Sequence, residues 1–244
     1  MKIIFNADDY GYSKGVNLGI IEAYENGLVR SCTMMTNTSG FEHGVKLLER
    51  SSGLKTGLHL VLTHGFSLGA GYKTIISAKG KFLTKTELEK KIAEKEIDLN
   101  EVEKEYTLQI EKMLAAKINI THIDGHHHTH ILPGIMDVTL RLARKYGINA
   151  IRMCNLQSPK DIKTIAFNDT FFGEKATVGH LEYVLSRCNE NTEFMCHPAY
   201  LDSYLYNMSS YSLGRIEEVK TLTSKEAKEL IKKLGISLAS YTDL

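Results

Sequence analysis

Short runs of apolar and β-branched residues alternate along the chain with longer stretches in which apolar residues recur every three or four positions. The short runs predict strands, which favour such residues. Seven are predicted: Lys2–Ala7, Ser31–Asn37, Lys55–Leu62, Asn119–Asp124, Asn149–Arg152, Glu193–His197 and Ile236–Ser240. The longer stretches predict amphipathic helices between the strands. Two helical faces are clear: Val102, Tyr106, Ile110, Met113 and Leu114 on one, and Ala227, Leu230, Ile231 and Leu234 on the other.

The order of these elements indicates the fold. Strands that alternate with helices are typical of an α/β protein with a mostly parallel sheet. About seven strands within 244 residues favour one closed or nearly closed barrel, in a single domain over residues 1–244, and a doubly wound open sheet is the alternative. Two stretches lack periodicity, Thr63–Thr84 and Pro198–Gly214, and long loops of this kind are often functional.

The charge balance argues against several classes of partner. A formal net charge of +1 lacks the basic excess of proteins that bind nucleic acids or acidic membranes. No apolar run reaches the roughly 18 residues of a membrane span, and the apolar start, Met1–Ala7, is too short for a signal peptide. The four cysteines are scattered without a C-x-x-C pair, as expected of buried thiols in a reducing compartment. These features predict a cytoplasmic enzyme.

Polar residues suited to catalysis follow the predicted strands, at the carboxyl ends where parallel α/β proteins build their active sites. They are Asp8 and Asp9 after the first strand, His59 in the third, the segment Asp124–His130 after the fourth, Arg152 at the end of the fifth and His197 at the end of the sixth. Each residue alone has an ordinary explanation, such as a helix cap, a core histidine or an ion pair. Their shared position at one rim predicts a common site.

The histidines of the Asp124–His130 segment indicate a metal. His126, His128 and His130 alternate, so in an extended conformation they would lie on one side, and neutral imidazoles suit Zn, Fe and Ni. Two histidines and one carboxylate with open positions are typical of metal-assisted hydrolysis. One of the paired aspartates is then expected to bind the metal and the other to act as a base, with a turn at Tyr10–Gly11 that directs both into one site.

Sequence motifs resemble those of the YdjC-like carbohydrate deacetylases. The matching segments are Asn6–Gly11 (NADDYG), Gly57–Leu60 (GLHL) followed by Leu62 and Thr63, Thr121–His128 (THIDGHHH), Met195–Ala199 (MCHPA) and the closing Ser240–Asp243 (SYTD). They span nearly the whole chain in the order of the family. The resemblance implies an irregular TIM-type barrel and one divalent metal ion. It also implies removal of the acetyl group from N-acetylglucosamine units of a small chitooligosaccharide, with metal-bound water as the nucleophile.

The resemblance further implies roles for individual residues. It places the metal on Asp9, His59 and His126. A second group is expected to support these ligands or to contact the substrate: His128, His130, Asp124 and Tyr10. Magnesium or zinc is the favoured ion, with manganese, iron and cobalt as alternatives, because two histidines and one aspartate accept all of them.

The expected mechanism gives catalytic roles to three residues. Asp8 takes a proton from the metal-activated water as general base. His197 protonates the leaving amine, with His128 as the second choice, and Arg152 orients Asp8 or holds a sugar hydroxyl. Two alternatives stay open: a metal-dependent phosphoester hydrolase, and a non-catalytic protein that binds a metal or a sugar. The expected partner is a small N-acetylated sugar, with no nucleic acid and no membrane, and a homodimer is expected on base rates.

Overall fold

Seven parallel strands form one sheet in the computed structural model, which describes residues 1–244. The strands are β1 (Lys2–Tyr10), β2 (Ser31–Met34), β3 (Lys55–Leu60), β4 (Ile123–Gly125), β5 (Ala166–Asn168), β6 (Thr192–Cys196) and β7 (Ser237–Leu238). Their order is β4-β3-β2-β1-β6-β5, and β7 pairs with the first residues of β1. β1 thus lies inside the sheet, and every one of its residues after Lys2 is buried, as expected of a parallel strand covered on both faces.

Single residue pairs extend the sheet beyond β4 and bring its two edges close to closure. Ile151 pairs in parallel with Ile123 of β4, and Ala150 pairs with Lys163, which lies shortly before β5. β5 in turn pairs with β6. The curled parallel sheet confirms the predicted irregular α/β barrel of about seven strands and argues against the doubly wound open sheet.

One predicted strand is not regular and another was missed. The segment Asn149–Arg152 contributes only isolated pairs, and the chain turns shortly after it at Cys154 and Asn155, which adopt positive φ angles of 47° and 63°. The strand that was missed is β5, whose three residues are all only partly buried. Such a segment lacks the alternation or the continuous apolar run by which a strand is predicted.

Nine α-helices connect the strands. They are α1 (Lys14–Glu25), α2 (Phe41–Leu48), α3 (Lys85–Ala93), α4 (Leu99–Ala115), α5 (Ile135–Lys145), α6 (Val178–Leu185), α7 (Ser203–Met208), α8 (Gly214–Thr223) and α9 (Lys225–Lys233). Ser13 caps α1, because its side chain accepts a hydrogen bond from the Val16 backbone N–H at 3.2 Å. The predicted apolar face of α4 is buried except for Leu114. None of the helices has both the length and the apolar character that crossing a membrane requires.

The loop Thr63–Thr84 is held against the barrel by α4. Glu105, which is fully buried, accepts hydrogen bonds at 3.1 Å from the backbone N–H groups of Leu68 and Gly69. One turn earlier on the same helix, Glu101 accepts two further backbone N–H groups of the loop, at 2.7 and 2.8 Å. Side-chain acceptors on α4 therefore hold this loop in one conformation, and the pattern of hydrophobic residues does not predict such hydrogen bonds.

Candidate active site

A cavity of about 500 Å³ opens at the carboxyl ends of the strands. Six of the predicted site residues line it: Asp8, Asp9, His59, His126, His128 and His197. Residues that the sequence did not single out complete the wall, among them Tyr12, His64, Phe172 and Arg215, and Tyr211 lines it from the predicted loop Pro198–Gly214. The structure thus brings most of the predicted residues together at the end of the barrel where parallel α/β proteins place their active sites.

An irregularity in β1 directs Asp8 and Asp9 into the same cavity. Successive side chains of a regular strand point to opposite faces, but the register between β1 and β2 shifts between Ala7 and Tyr10, and Asp9 has a φ of 68°. A bulge of this kind redirects a side chain. The turn that the sequence predicted at Tyr10–Gly11 therefore begins one residue earlier. A non-glycine residue with positive φ is uncommon and often marks a functional site.

Asp9, His59 and His126 converge as a candidate metal centre. Asp9 Oδ1 lies 3.3 Å from His59 Nε2 and 3.0 Å from His126 Nδ1, and the three ligand atoms lie within 4.8 Å of one another. The other ring nitrogen of His59, Nδ1, lies 2.7 Å from Asp124 Oδ1. A carboxylate behind a histidine fixes the ring and leaves the second nitrogen for a metal. This donor set fits a divalent ion that accepts two imidazoles and one carboxylate.

Arg215 of α8 binds the second oxygen of Asp9, a contact that the sequence did not predict. Its Nη2 donates to Asp9 Oδ2 at 2.7 Å, and its Nε donates to the Tyr211 carbonyl at 2.8 Å. Both charged side chains are almost fully buried. Burial alone would raise the pKa of Asp9, but Arg215 and then His126 hold it well below its ordinary value. Asp9 is therefore ionised at neutral pH and available as a ligand.

Asp8 is the carboxylate outside the cluster of Asp9 and the two histidines. Arg152 binds it through both oxygens, with Nη1 2.6 Å from Oδ2 and Nη2 2.7 Å from Oδ1, and Asn6 Nδ2 donates to Oδ1 at 2.8 Å. A carboxylate has about four lone-pair sites, so one site on Oδ2 remains for a molecule in the cavity. Although burial favours the neutral acid, Arg152 holds the pKa of Asp8 below its ordinary value. Asp8 is thus an ionised proton acceptor.

Arg152 joins three buried carboxylates behind the cavity. In addition to Asp8, its guanidinium lies 2.9 Å from Asp124 Oδ2 and 2.6 Å from Glu193 Oε1. Glu193 also accepts a hydrogen bond from the Tyr241 hydroxyl. This geometry gives Arg152 the contact with Asp8 that an orienting role requires. It contradicts the alternative that Arg152 holds a sugar hydroxyl, because the guanidinium is fully buried and does not line the cavity.

Negative charge exceeds positive charge among the buried groups around the cavity. Five carboxyl groups, those of Asp8, Asp9, Asp124, Glu193 and Glu218, are buried there with only two arginines, Arg152 and Arg215. Buried charges without partners are costly. The excess of negative charge affects the pKa of His59. Burial disfavours its imidazolium form, but the neighbouring carboxylates, led by Asp124, raise the pKa to about 10. A divalent cation beside His59 would balance the same surplus.

His197 directly follows β6 and is held by Glu218 of α8. The backbone N–H of His197 donates to Glu218 Oε2, and the His197 Nδ1 atom is buried 4.0 Å from Glu218 Oε1 without a hydrogen-bond partner. Nε2 is consequently the ring nitrogen available to the cavity. Burial and then the charge of Arg215 lower the pKa of His197 to about 4, whereas burial raises the pKa of Glu218 to about 7.

The histidine-rich segment does not have the predicted extended geometry. His126–Ile131 forms a 3₁₀ turn in which His127 and His128 adopt positive φ angles of 56° and 58°. As a result His128 lines the cavity, whereas His130 is fully buried outside the cavity wall with its Nε2 2.7 Å from the carbonyl oxygen of Arg152. The expectation that the three alternating histidines share one side is therefore wrong, because the chain turns where an extended strand was assumed.

Tyr10 lies apart from the site. Its hydroxyl donates to the Gly44 carbonyl at 2.9 Å, and its ring is fully buried in the core. The structure therefore contradicts the expectation that Tyr10 supports the ligands or contacts the substrate. The bulge at Asp9 explains the difference, because it changes which residues at the end of β1 face the cavity.

Several known proteins are similar to this chain. Residues 2–233 match the family of YdjC-like proteins. Carbohydrate deacetylase 1 of Listeria innocua is 39% identical over 249 residues, which cover 100% of both chains. A solved protein of Enterococcus faecalis, proposed to cleave cellobiose phosphate, has a TM-score of 0.90 at 30% identity over 99% of this chain and 98% of its own. A family 4 carbohydrate esterase of Streptomyces lividans, solved with acetate, shares the fold with a TM-score of 0.54 at 10% identity, over 98% and 92% of the two chains.

Proposed function

The chain belongs to the YdjC-like protein family, and we propose that it is a metal-dependent carbohydrate deacetylase. One observation carries the proposal: a candidate metal centre on Asp9, His59 and His126 shares a cavity with a second ionised carboxylate, Asp8. Full-length relatives that bear the name carbohydrate deacetylase support the same chemistry. The reaction would hydrolyse an acetamide, releasing acetate and leaving a free amine on the sugar.

Asp9, His59 and His126 would hold the ion. When bound, a divalent ion supplies Lewis-acid polarisation of a carbonyl group and acidifies water. Asp124 fixes the ring of His59, and Arg215 keeps one oxygen of Asp9 engaged, so that these two ligands have set orientations. Imidazole ligands favour zinc, and magnesium, manganese, iron and cobalt are the alternatives that we would test.

Asp8 would act as the general base. The remaining lone-pair site on its Oδ2 accepts a hydrogen bond from the attacking water, and Asp8 takes the proton as the water adds to the acetyl carbonyl. When Asp8 becomes neutral, Arg152 still contacts Asp124 and Glu193. The buried guanidinium therefore keeps anionic partners throughout the reaction.

His197 would protonate the leaving amine. Its Nε2 is the ring nitrogen available to the cavity, and Glu218 fixes its backbone. The pKa of about 4 applies to the free site, and negative charge that develops on the acetyl oxygen would raise it. His128 is the alternative acid, because it lines the same cavity.

We further propose N-acetylglucosamine units of a small chitooligosaccharide as the substrate. A cavity of about 500 Å³ lies within the usual range for small-molecule sites. Its wall combines hydroxyl groups, imidazoles and aromatic rings, as in Thr63, His127 and Phe172. Such a wall offers hydrogen bonds to sugar hydroxyls and apolar contacts to the faces of a sugar ring.

Acetate release from N,N'-diacetylchitobiose tests this function directly. The purified protein would be stripped of metal and resupplied with single divalent ions; we expect no release before resupply and restored release with at least one ion. His126→Ala should abolish the restored activity. His180→Ala should retain it, because His180 lies on α6 outside the cavity. If the protein binds metal but releases no acetate with any ion, the proposal is overturned. Release of phosphate from phosphoesters would then indicate a metal-dependent phosphoester hydrolase instead.

A further inference from the structure

Phe172 is an exposed aromatic residue at the rim of the cavity. Its side chain is 43% exposed and lies between β5 and α6. Exposed apolar residues are common and need no function by themselves. The other exposed aromatic residues of the chain are Phe66, Tyr183, Tyr200 and Tyr206, and all four lie outside the cavity wall. Phe172 is therefore the one exposed aromatic ring that a molecule in the cavity can contact.

The ring of Tyr211, which also lines the cavity, packs against Phe172. The two rings stack with centroids 3.9 Å apart and an angle of 29° between their planes. The Tyr211 hydroxyl accepts a hydrogen bond from the Gly173 N–H at 2.9 Å and donates one to Glu218 at 2.7 Å. Because Gly173 directly follows Phe172, the same tyrosine fixes both the ring and its backbone. One face of Phe172 is thus covered, and the exposed remainder is fixed in position before any ligand binds.

The Phe172 ring also lies beside His197, the residue proposed to protonate the leaving amine. The ring centroids of Phe172 and His197 are 5.6 Å apart with an angle of 81° between their planes. In the proposed reaction, the leaving nitrogen is bonded directly to a carbon of the sugar ring. A sugar whose nitrogen reaches His197 Nε2 can therefore place its ring against Phe172.

We propose that Phe172 is a specificity-determining residue on which the sugar ring that carries the acetamide stacks. This role rests on the proposed deacetylase function and adds the residue by which the site would distinguish an amine on a pyranose ring from one on an acyclic chain. The C–H groups on a face of a pyranose are apolar and make dispersion contacts with an aromatic ring. A ring that is already fixed provides these contacts without a further ordering cost. An acyclic amide has no such face, so contact with Phe172 would add little to its binding.

Selectivity between two substrates tests this role. We would compare kcat/KM for N,N'-diacetylchitobiose with kcat/KM for N-acetylethanolamine, an acyclic acetamide that also carries a hydroxyl. Phe172→Ala should lower the value for the sugar about tenfold, through KM, as expected for an aromatic contact of about 1.4 kcal/mol. It should leave the acyclic substrate within about twofold of wild type. Phe172→Tyr keeps an aromatic face and should retain the activity on the sugar.

A purely structural effect on His197 would give a different pattern. In that case Phe172→Ala would lower kcat for both substrates together. Phe172→Leu, which keeps apolar bulk without an aromatic face, would then retain activity on both. That pattern would overturn the proposal. If Phe172 stacks on the sugar, Phe172→Leu should instead behave like Phe172→Ala. Tyr183→Ala is the matched control, because it removes an exposed aromatic ring outside the cavity, and it should change neither substrate.

Sugar binding separates this role from the proposed function. N,N'-diacetylchitobiose can be titrated calorimetrically into the metal-stripped protein, where no turnover is needed. Binding that is about tenfold weaker in Phe172→Ala, combined with no acetate release from the wild type, would overturn the deacetylase function and support the stacking role. Equal binding by the two proteins would overturn the stacking role whatever the activity.

Discussion

Arg215 Nη2 lies 2.7 Å from Asp9 Oδ2, while the other oxygen of Asp9 lies closest to His126 and His59. Arg215 reaches this position from the first turn of α8. The two opposite charges are almost fully buried, so their attraction is poorly screened by water. One oxygen of Asp9 is thereby engaged by a cation of the protein, and the other is left to the candidate metal centre.

Replacing Arg215 by methionine is expected to destabilise the metal-free protein by about 3–5 kcal/mol, because Asp9 then keeps a buried charge without its cation. A divalent ion binds the folded state and supplies positive charge at the same carboxylate. The metal-induced rise in Tm should therefore be larger in Arg215→Met than in wild type. Thermal unfolding in chelator and in saturating zinc measures both quantities.

An exposed arginine provides the control for this variant. Arg141 pairs with Glu103 on the surface, and exposed pairs contribute only about 0–1 kcal/mol. Arg141→Met should therefore shift Tm little, and equally with and without metal. If Arg215→Met behaved in the same way, Arg215 would not be the charge partner that Asp9 requires.

Replacing Asp8 by asparagine should lower kcat for acetate release by about 10²–10⁴, the usual contribution of a general base. Metal content should be unchanged, because Asp8 lies outside the cluster of Asp9, His59 and His126. Turnover by the metal-loaded variant and metal content by atomic absorption are the two measurements. Asp161→Asn, at a surface aspartate paired with Arg144, is the control. A variant that kept both its metal and most of its turnover would remove Asp8 from the mechanism.

The loop Thr63–Thr84 should become more mobile when Glu105 is replaced by glutamine. Both oxygens of Glu105 accept backbone N–H groups, from Leu68 and Gly69. A glutamine side chain retains one acceptor oxygen, so one partly buried N–H loses its partner at a cost of about 1 kcal/mol. Hydrogen exchange at Leu68 and Gly69 should accelerate. Glu111→Gln, on the exposed part of the same helix, should leave the exchange rates of both amides unchanged.

The barrel could be predicted from the sequence because its signal is repeated along the whole chain. Short apolar runs between amphipathic stretches mark β1, β2, β3 and β6 within a few residues of their observed ends. The run Asn149–Arg152 carries this signal but forms only single pairs at Ala150 and Ile151, whereas the three-residue β5 carries no such signal. Whether a run becomes a strand depends on the partners that neighbouring strands supply, which is a tertiary effect that a local pattern does not contain.

The candidate ligands could be predicted, whereas the residues that hold them could not. Asp9, His59 and His126 stand at strand ends in a pattern that metal chemistry explains. Arg215 and Glu218 lie three residues apart on α8, and oppositely charged residues at that spacing normally indicate an exposed helix face. Here both are buried toward the cavity because of how α8 packs, and only the packed structure reveals it.

Replacing Glu218 by glutamine should change how stability depends on pH. Burial raises the pKa of Glu218 from its ordinary 4.5 to about 7, so the folded protein holds this proton more tightly than the unfolded chain. The resulting stabilisation is present below about pH 4.5 and is lost as the pH rises through 7. The free energy of unfolding of wild type, relative to Glu218→Gln, should therefore fall by about 3 kcal/mol over this range. Urea unfolding of both proteins in chelator at a series of pH values measures the difference. Glu217→Gln, at the exposed neighbouring position, is the control, and its free energy of unfolding should differ from that of wild type by nearly the same amount at every pH. If the difference between wild type and Glu218→Gln were equally independent of pH, Glu218 would stay ionised beside His197.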